Sequence, residues 1–283
     1  MEELTSEHGG MVLAYDGERI RERIDAVRSA FERAGGQSKT YFALKANRFR
    51  PVLHSIRAHG DCGIDACSPG ELARAIECGF RPEEISFTGS SLSEKDVEAI
   101  AGYDISLNVN SISAIHKIGH RGIKRPIGIR INPQIGVGGT SSLVYAGTTP
   151  TKFGIYPDRI AEAARLAESY GLEIEGVHMH VGSGWMADGM PTFMAALDRM
   201  LSVAEPLGTL RYVNVGGGIG VTHSAECLPV DLDAYAAGVT SAIRARFGDA
   251  VVCCEPGDFL VNDAGVLGAT VTEVEEKGGA LFV

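Results

Sequence analysis

The stretch Tyr41-Phe42-Ala43-Leu44-Lys45-Ala46-Asn47 decides how the rest of the chain is read. It is aromatic and apolar and runs into helix-forming residues, the pattern of a strand that feeds a helix. Side chains alternate across a strand, so Tyr41, Ala43, Lys45 and Asn47 are expected on one side and Phe42, Leu44 and Ala46 on the other. A lysine beside small alanines at the exit of an apolar strand points into a closed space. Burial there lowers an amine's pKa and frees its lone pair for addition to a carbonyl. The plainer alternative is a lysine that snorkels to water at a strand end.

Outward from this stretch a rhythm sets in. Met11 to Tyr15 reads as a short strand, and Gly17 to Gly35 as an amphipathic helix with Ile20, Ile24, Val27 and Phe31 on one stripe. Strand-like runs then alternate with helices or loops: Thr40 to Ala46, Gly63 to Cys67, Ile85 to Thr88, Ile105 to Val109, Pro126 to Ile131, Ile174 to Val181, Tyr212 to Val215 and Val251 to Glu255. Such alternation implies parallel pairing, and eight units over roughly 240 residues match a closed (β/α)8 barrel, with an open doubly wound sheet as the competitor. Local punctuation agrees. Ser68-Pro69-Gly70-Glu71 reads as a capping box, Ser93 with Asp96 as another, and Gly79 and Gly171 as helix stops. The Gly/Thr/Ser-rich stretch from Asn132 to Tyr156 is too long for an idle connector and reads as a loop over a site.

Composition narrows the function classes. The chain has 283 residues, 45% hydrophobic and 22% charged, enough for a large core. A net charge of −10 leaves no electrostatic footprint for nucleic acid. Met1 to Gly10 lack the apolar core of a signal peptide, and no uncharged apolar run reaches membrane-spanning length, so the expected location is the cytoplasm, with no membrane partner. The six cysteines form no C-x-x-C pair, and adjacent Cys253 and Cys254 face opposite sides of a strand, so free thiols are expected rather than a disulfide framework or zinc knuckle.

Polar residues collect where strands end, which is where barrels of this kind carry reactive groups: Lys45, Asp65, Arg130, His178, His180, the Gly216-Gly217-Gly218-Ile219-Gly220 turn and Glu255. Each has a plainer reading. Asp65 and Arg130 could be a buried ion pair, Glu71 the capping acid, His178 and His180 core histidines or metal ligands, and the glycines a tight turn. The glycines do not fit the dinucleotide fingerprint, because Val221 stands where its third glycine belongs. They can expose several backbone N–H groups to a phosphate. A buried amine, a phosphate nest, an imidazole and a carboxylate together suggest pyridoxal 5′-phosphate.

Taken in order, YFALKAN, GIDACSPGE, RINP followed by TKFGI, HMHVGS, VGGGIG and EPG resemble the barrel domain of the alanine-racemase-like (fold type III) pyridoxal-phosphate decarboxylases, the diaminopimelate, ornithine and arginine decarboxylase family. The resemblance runs from about Met11 to Val283. It implies that Lys45 forms the Schiff base, His180 stacks on the cofactor ring, Ser183 and Gly216 to Gly218 hold the phosphate, Glu255 pairs with the protonated pyridine nitrogen, and Asp65, Arg130 and Gly257 lie close to the cofactor. It further implies decarboxylation of a diamino acid and a homodimer. The domains expected are a barrel over 11–262 and, over 263–283, the first strands of a β-rich domain truncated or missing here.

The sequence also departs from the family's pattern. EPG is followed by Asp258 where the family has arginine, which reverses a charge and makes an acidic distal group on the substrate less welcome than a cationic one. The chain stops just after Ala264 to Val274 and Ala280 to Val283, which read as early strands of the second domain and imply a fragment or a short relative. Two other functions compete with a decarboxylase. A non-catalytic pyridoxal-phosphate carrier or partner of a full-length homologue would bind cofactor without releasing CO2. A barrel hydrolase with metal on His178-x-His180 would be revealed by metal analysis.

Overall fold

The computed structural model describes residues 2–7, 9–147, 149–223 and 227–283. Strand β1 (Met11–Tyr15) precedes a closed ring of parallel strands: β2 (Ser38–Ala43), β3 (Cys62–Ala66), β4 (Ile85–Phe87), β5 (Ser106–Val109), β6 (Ile127–Arg130), β7 (Ile174–His178), β8 (Tyr212–Asn214) and β9 (Val251–Cys254). Thr40 of β2 lies beside Cys254 of β9 at the closing seam. This is the (β/α)8 barrel read from the alternation.

Strand alternation sorts the side chains into two layers. Tyr41, Tyr212 and Cys253 meet inside the ring, while Phe42, Val213 and Cys254 join the core shared with the helices. Cys253 and Cys254 therefore part as expected, and Cys62, Cys67, Cys78, Cys253 and Cys254 form no disulfide. Tyr212 fits the interior because β6 and β7 present glycines to it. A Cβ on Gly176 would stand 2.3 Å from the ring, and one on Gly128 2.1 Å from the hydroxyl. The helix Gly17–Arg33 buries the stripe Ile20, Ile24, Val27 and Phe31, and Asp16 caps it by accepting from Glu18 N–H and Arg19 N–H.

Two strands end three residues earlier than the sequence suggests. β2 stops at Ala43, and Leu44–Ala46 form a 3₁₀ turn closed by Asn47 N–H to Leu44 C=O at 3.1 Å. Simple alternation therefore ends before Lys45, which the turn delivers to the rim of the ring. β7 stops at His178 because the following residues pair with a loop: Val144 bridges Gly182, and Tyr145 N–H donates to Val181 C=O.

Beyond the ring, β10 (Gly265–Ala269) pairs antiparallel with β1, with Leu13 opposite Leu267. A hairpin of β11 (Glu275–Lys277) and β12 (Ala280–Phe282) follows. Strand β1 thus lies outside the ring, and Met11, Leu13, Leu267, Leu281 and Phe282 are exposed. No helix among the described residues is long and apolar enough to cross a membrane.

Candidate active site

At the C-terminal end of the strands a cavity of about 350 Å³ is lined by Lys45, Asp65, Arg130, His178, His180 and Glu255, together with Cys67, Thr88, Ser90, Tyr145, Lys152 and Phe153. Strand polarity explains the convergence, since every parallel strand delivers its last inward side chain to the same rim. The long loop closes one wall. Its ends are tied together where Ile131 bridges Ile155, so the residues between return over the mouth and present Tyr145, Lys152 and Phe153.

The carboxylate Glu255 is buried and held from three sides. His178 Nε2 donates to it at 2.9 Å, Asn214 Nδ2 at 2.7 Å and Ser86 Oγ at 3.3 Å. Burial alone would raise its pKa, but His178, Lys45 and His180 bring it down to about 2. The His178 imidazolium is disfavoured by burial, so the ring is a neutral Nε2–H donor whose Nδ1 has no partner among the described residues. His180 is half-buried and held well below the usual histidine range, first by desolvation and then by the Lys45 and Arg130 charges. Its Nδ1 accepts from Gly217 N–H at 3.2 Å, which leaves Nε2–H unpartnered, and the ring lies 5.3 Å from that of Tyr145.

Lys45 Nζ stands 3.8 Å from Asp65 Oδ2, and 46% of its side chain is open to the cavity. Burial pulls the ammonium's pKa down, yet Asp65, Glu255 and Cys67 outweigh it and the net shift is upward. The depressed amine expected from burial is therefore corrected: the acidic groups that face Lys45 lie on other strands and are invisible in its own segment. Asp65 moves the other way for a carboxyl. Burial and the Glu255 charge push it up to about 8, and its Oδ1 has no partner among the described residues. Arg130 does not pair with Asp65. Its guanidinium donates to Asn110 Oδ1 at 3.3 Å and His180 C=O at 3.4 Å and lies 4.8 Å over the Phe153 ring, while burial lowers its pKa to about 10.

Two further readings change. Ser68 Oγ accepts from Glu71 N–H, but the Glu71 carboxylate reaches past the cap to Cys67 N–H at 2.9 Å and Cys67 Sγ at 3.1 Å, and pairs with Arg48. Glu71 therefore braces the cavity wall behind Cys67 in place of closing a capping box. The glycine turn offers fewer free donors than its length suggests: Gly216 N–H donates to Asn214 Oδ1, Gly217 N–H to His180 Nδ1 and Gly220 N–H to Trp185 C=O, leaving the Gly218 and Ile219 N–H groups without a partner among the described residues. Gly217 is forced by packing, because a Cβ there would stand 2.0 Å from the Glu255 carbonyl oxygen. Ser183, Gly216 to Gly218 and Gly257 do not line the cavity itself. Gly217 backs onto Glu255 and Pro256, Gly218 onto Gly182 next to Ser183, and Gly257 onto Ala43 and Ala46.

Sequence reasoning missed Cys67, Thr88, Ser90, Tyr145, Lys152, Phe153, Ser86 and Asn214 as parts of the site. Thr88 and Ser90 follow a strand end, and Tyr145, Lys152 and Phe153 lie in the loop whose length flagged it, so position carried a signal that residue type did not. His178 and His180 spend a nitrogen each on Glu255 and Gly217, and among the described residues no three His, Cys, Asp or Glu side chains are arranged to hold a metal.

An amine, a clamped carboxylate, a neutral imidazole with an unpartnered N–H and a carboxyl with an unpartnered oxygen on one cavity fit pyridoxal phosphate, which needs a covalent anchor, an acceptor for its ring N–H and a polar, ring-sized enclosure. The chain belongs to the family described as pyridoxal-dependent decarboxylase, pyridoxal binding domain, whose profile matches residues 17–262. It is 31% identical to the diaminopimelate decarboxylase of Methanothermobacter thermautotrophicus over 97% of this chain and 66% of that one. Its likeness to the Helicobacter pylori diaminopimelate decarboxylase crystallised with L-lysine extends over 97% of this chain and 70% of that one, at 31% identity and a TM-score of 0.88. A lysine/ornithine decarboxylase from Vibrio vulnificus shares the fold at 20% identity and a TM-score of 0.81. The chain spans between about half and two thirds of the length of several of these relatives, 66% of the archaeal one and 62% of that from Streptomyces coelicolor.

Proposed function

We propose that this chain carries out, or forms the barrel portion of an enzyme that carries out, pyridoxal-phosphate-dependent decarboxylation of a diamino acid. The observation that supports it most is the placement of Lys45 and Glu255 on one cavity. When bound, pyridoxal phosphate supplies an electron sink for the pair left behind as CO2 departs. Lys45 is the covalent anchor. Asp65 Oδ2, 3.8 Å away, is the nearest carboxyl to its Nζ and would position it. Glu255, ionised and acceptor-only, holds the proton of the ring nitrogen in place. The neutral His180 ring would offer a flat face to the heterocycle, and Ser183, the Gly218 N–H and Gly257, behind the cavity wall, are the residues proposed to hold the phosphate. Arg130 keeps its charge in the buried wall, and Tyr145 and Phe153 shed water from the mouth.

The test is an absorbance scan with added pyridoxal phosphate, followed by CO2 assays on lysine, ornithine, arginine and diaminopimelate. A visible band that depends on Lys45, and CO2 from one of these acids, is the expected result; no band would end the proposal. Asp258 is exposed where the family has arginine, which favours a substrate with a cationic distal end. The same residue supports a second reading, a cofactor-binding barrel without turnover, distinguished by a band without CO2.

The homodimer is part of the proposal. Exposed Met11, Leu13, Leu267, Leu281 and Phe282 on short strands give a partner an apolar face to cover, and light scattering checks it. The cytoplasm is the proposed location, supported by Cys62, Cys67, Cys78, Cys253 and Cys254, which form no disulfide. The division into a barrel over 11–262 and a β-rich unit over 263–283 is likewise proposed, supported by the strand ring ending at Cys254, with β1 reaching across that boundary to pair with β10.

A further inference from the structure

Behind Glu255 runs a buried chain of hydrogen bonds that the proposed chemistry does not itself require. Tyr212 Oη lies 2.7 Å from Asn108 Oδ1, Asn108 Nδ2 lies 3.3 Å from Ser86 Oγ and 3.1 Å from Thr88 Oγ1, and Ser86 Oγ lies 3.3 Å from Glu255 Oε1. These residues sit on β8, β5 and β4, so the chain crosses the barrel interior. Asn108, Ser86 and Glu255 are all nine-tenths or more buried.

The sense of each bond follows from one end. An ionised carboxylate only accepts, so Ser86 must spend its single proton on Glu255. Ser86 must then accept from Asn108, which turns the amide NH2 toward Ser86 and Thr88 and the amide oxygen toward Tyr212. Tyr212 must therefore donate. Burial holds its phenol protonated, as that role demands. We propose that Tyr212, Asn108 and Ser86 form a polarised relay of positioning residues that aims every donor at Glu255 and so keeps it an acceptor for the cofactor's ring N–H. Sequence reading could not find it, because Tyr212 stands opposite Gly128 and Gly176, and only their missing Cβ atoms admit its ring and hydroxyl.

The relay works alongside the titratable groups that face Glu255: Lys45 from the turn after β2, Asp65 on β3, Arg130 on β6, His178 on β7 and His180 beyond it. Those set a background that a relay variant leaves intact. Loss of a relay donor makes the carboxylate more proton-hungry, so a proton shared with the ring nitrogen shifts toward Glu255.

The inference rests in part on the proposed cofactor, and two measurements separate the two. In the cofactor-free protein, nuclear Overhauser contacts from the Asn108 amide protons should reach Ser86 and Thr88 and not the Tyr212 ring; contacts to Tyr212 would reverse the relay and overturn it. With 15N-labelled pyridoxal phosphate bound, the ring-nitrogen shift should move toward the unprotonated value in Tyr212→Phe and further in Ser86→Ala, while Ser86→Thr, which keeps the hydroxyl, stays at the wild-type position. Unchanged shifts in Ser86→Ala overturn the inference even if Tyr212→Phe fails to fold. A wild-type protein that binds no cofactor overturns the functional reading, and the amide contacts then still decide the relay.

Discussion

The two ends of the barrel carry similar residue types and opposite environments. At the N-terminal end a hollow of about 650 Å³ is lined by Arg28, Glu32, Lys39, Asp61, Arg81 and Glu84, among others. Its charges sit near water and pair with neighbours, Arg28 with Glu32 at 2.6 Å and Arg81 with Glu84 at 3.1 Å. At the C-terminal end a cavity of about 350 Å³ holds Asp65, Arg130 and Glu255, which are buried and drawn from different strands. The larger hollow carries less chemistry. Desolvation, more than volume, makes a titratable group useful, because only a group removed from water has its protonation set by its neighbours.

Variants at the two ends should therefore differ sharply. The largest expected effect is at Lys45: Lys45→Ala should abolish the visible band formed with pyridoxal phosphate and any CO2 release, and an unchanged spectrum would refute its role as anchor. Next are the buried carboxylates, whose pH dependences have opposite signs. Glu255 is depressed in the fold to about 2, so its stabilisation is present above its ordinary value near 4.5 and lost as pH falls toward 2. Removing it by Glu255→Ala leaves His178 and Asn214 without their acceptor and should cost about 3–5 kcal/mol at neutral pH, measured by urea unfolding.

Asp65 is raised to about 8, so the fold keeps a proton that the unfolded chain releases above about 3.8, and stability falls as pH climbs between those values. Asp65→Asn should flatten that decline, gaining most at pH 8 and nothing at pH 3.5; a parallel offset at all pH values would disprove the assignment. Gly217→Ala, whose methyl would collide with the Glu255 carbonyl, should cost about 1–3 kcal/mol, and a neutral result would show that the turn can shift. The smallest effect is at the other end. Arg81→Ala should leave the urea unfolding midpoint where it is, since its ion pair is exposed.

Much of this comparison was legible before the fold was known. The alternation of strand and helix located every strand of the ring, and the helix stripe Ile20, Ile24, Val27 and Phe31 is buried as read. Lys45, Asp65, Arg130, His178, His180 and Glu255 were picked out because polar residues at the ends of apolar strands are unusual, and all six line one cavity. Boundaries were less legible. β2 ends before Lys45 because chain exit, not side-chain preference, stops it. Glu71 satisfied the spacing of a capping box and yet reaches for Cys67 and Arg48, since spacing constrains a local bond only while no better donor is nearby.

What the amino-acid order determined alone was periodic and local: which segments are strands, which face of each is apolar, and which rim residues carry protons or charge. The sign of the Lys45 shift, the three donors on Glu255, the proton retained by Asp65 and the direction of the bonds from Tyr212 were decided only when the ring closed. Those properties depend on distance and on exclusion of water between residues far apart in the chain, and neither quantity exists until the strands are wound around a common axis.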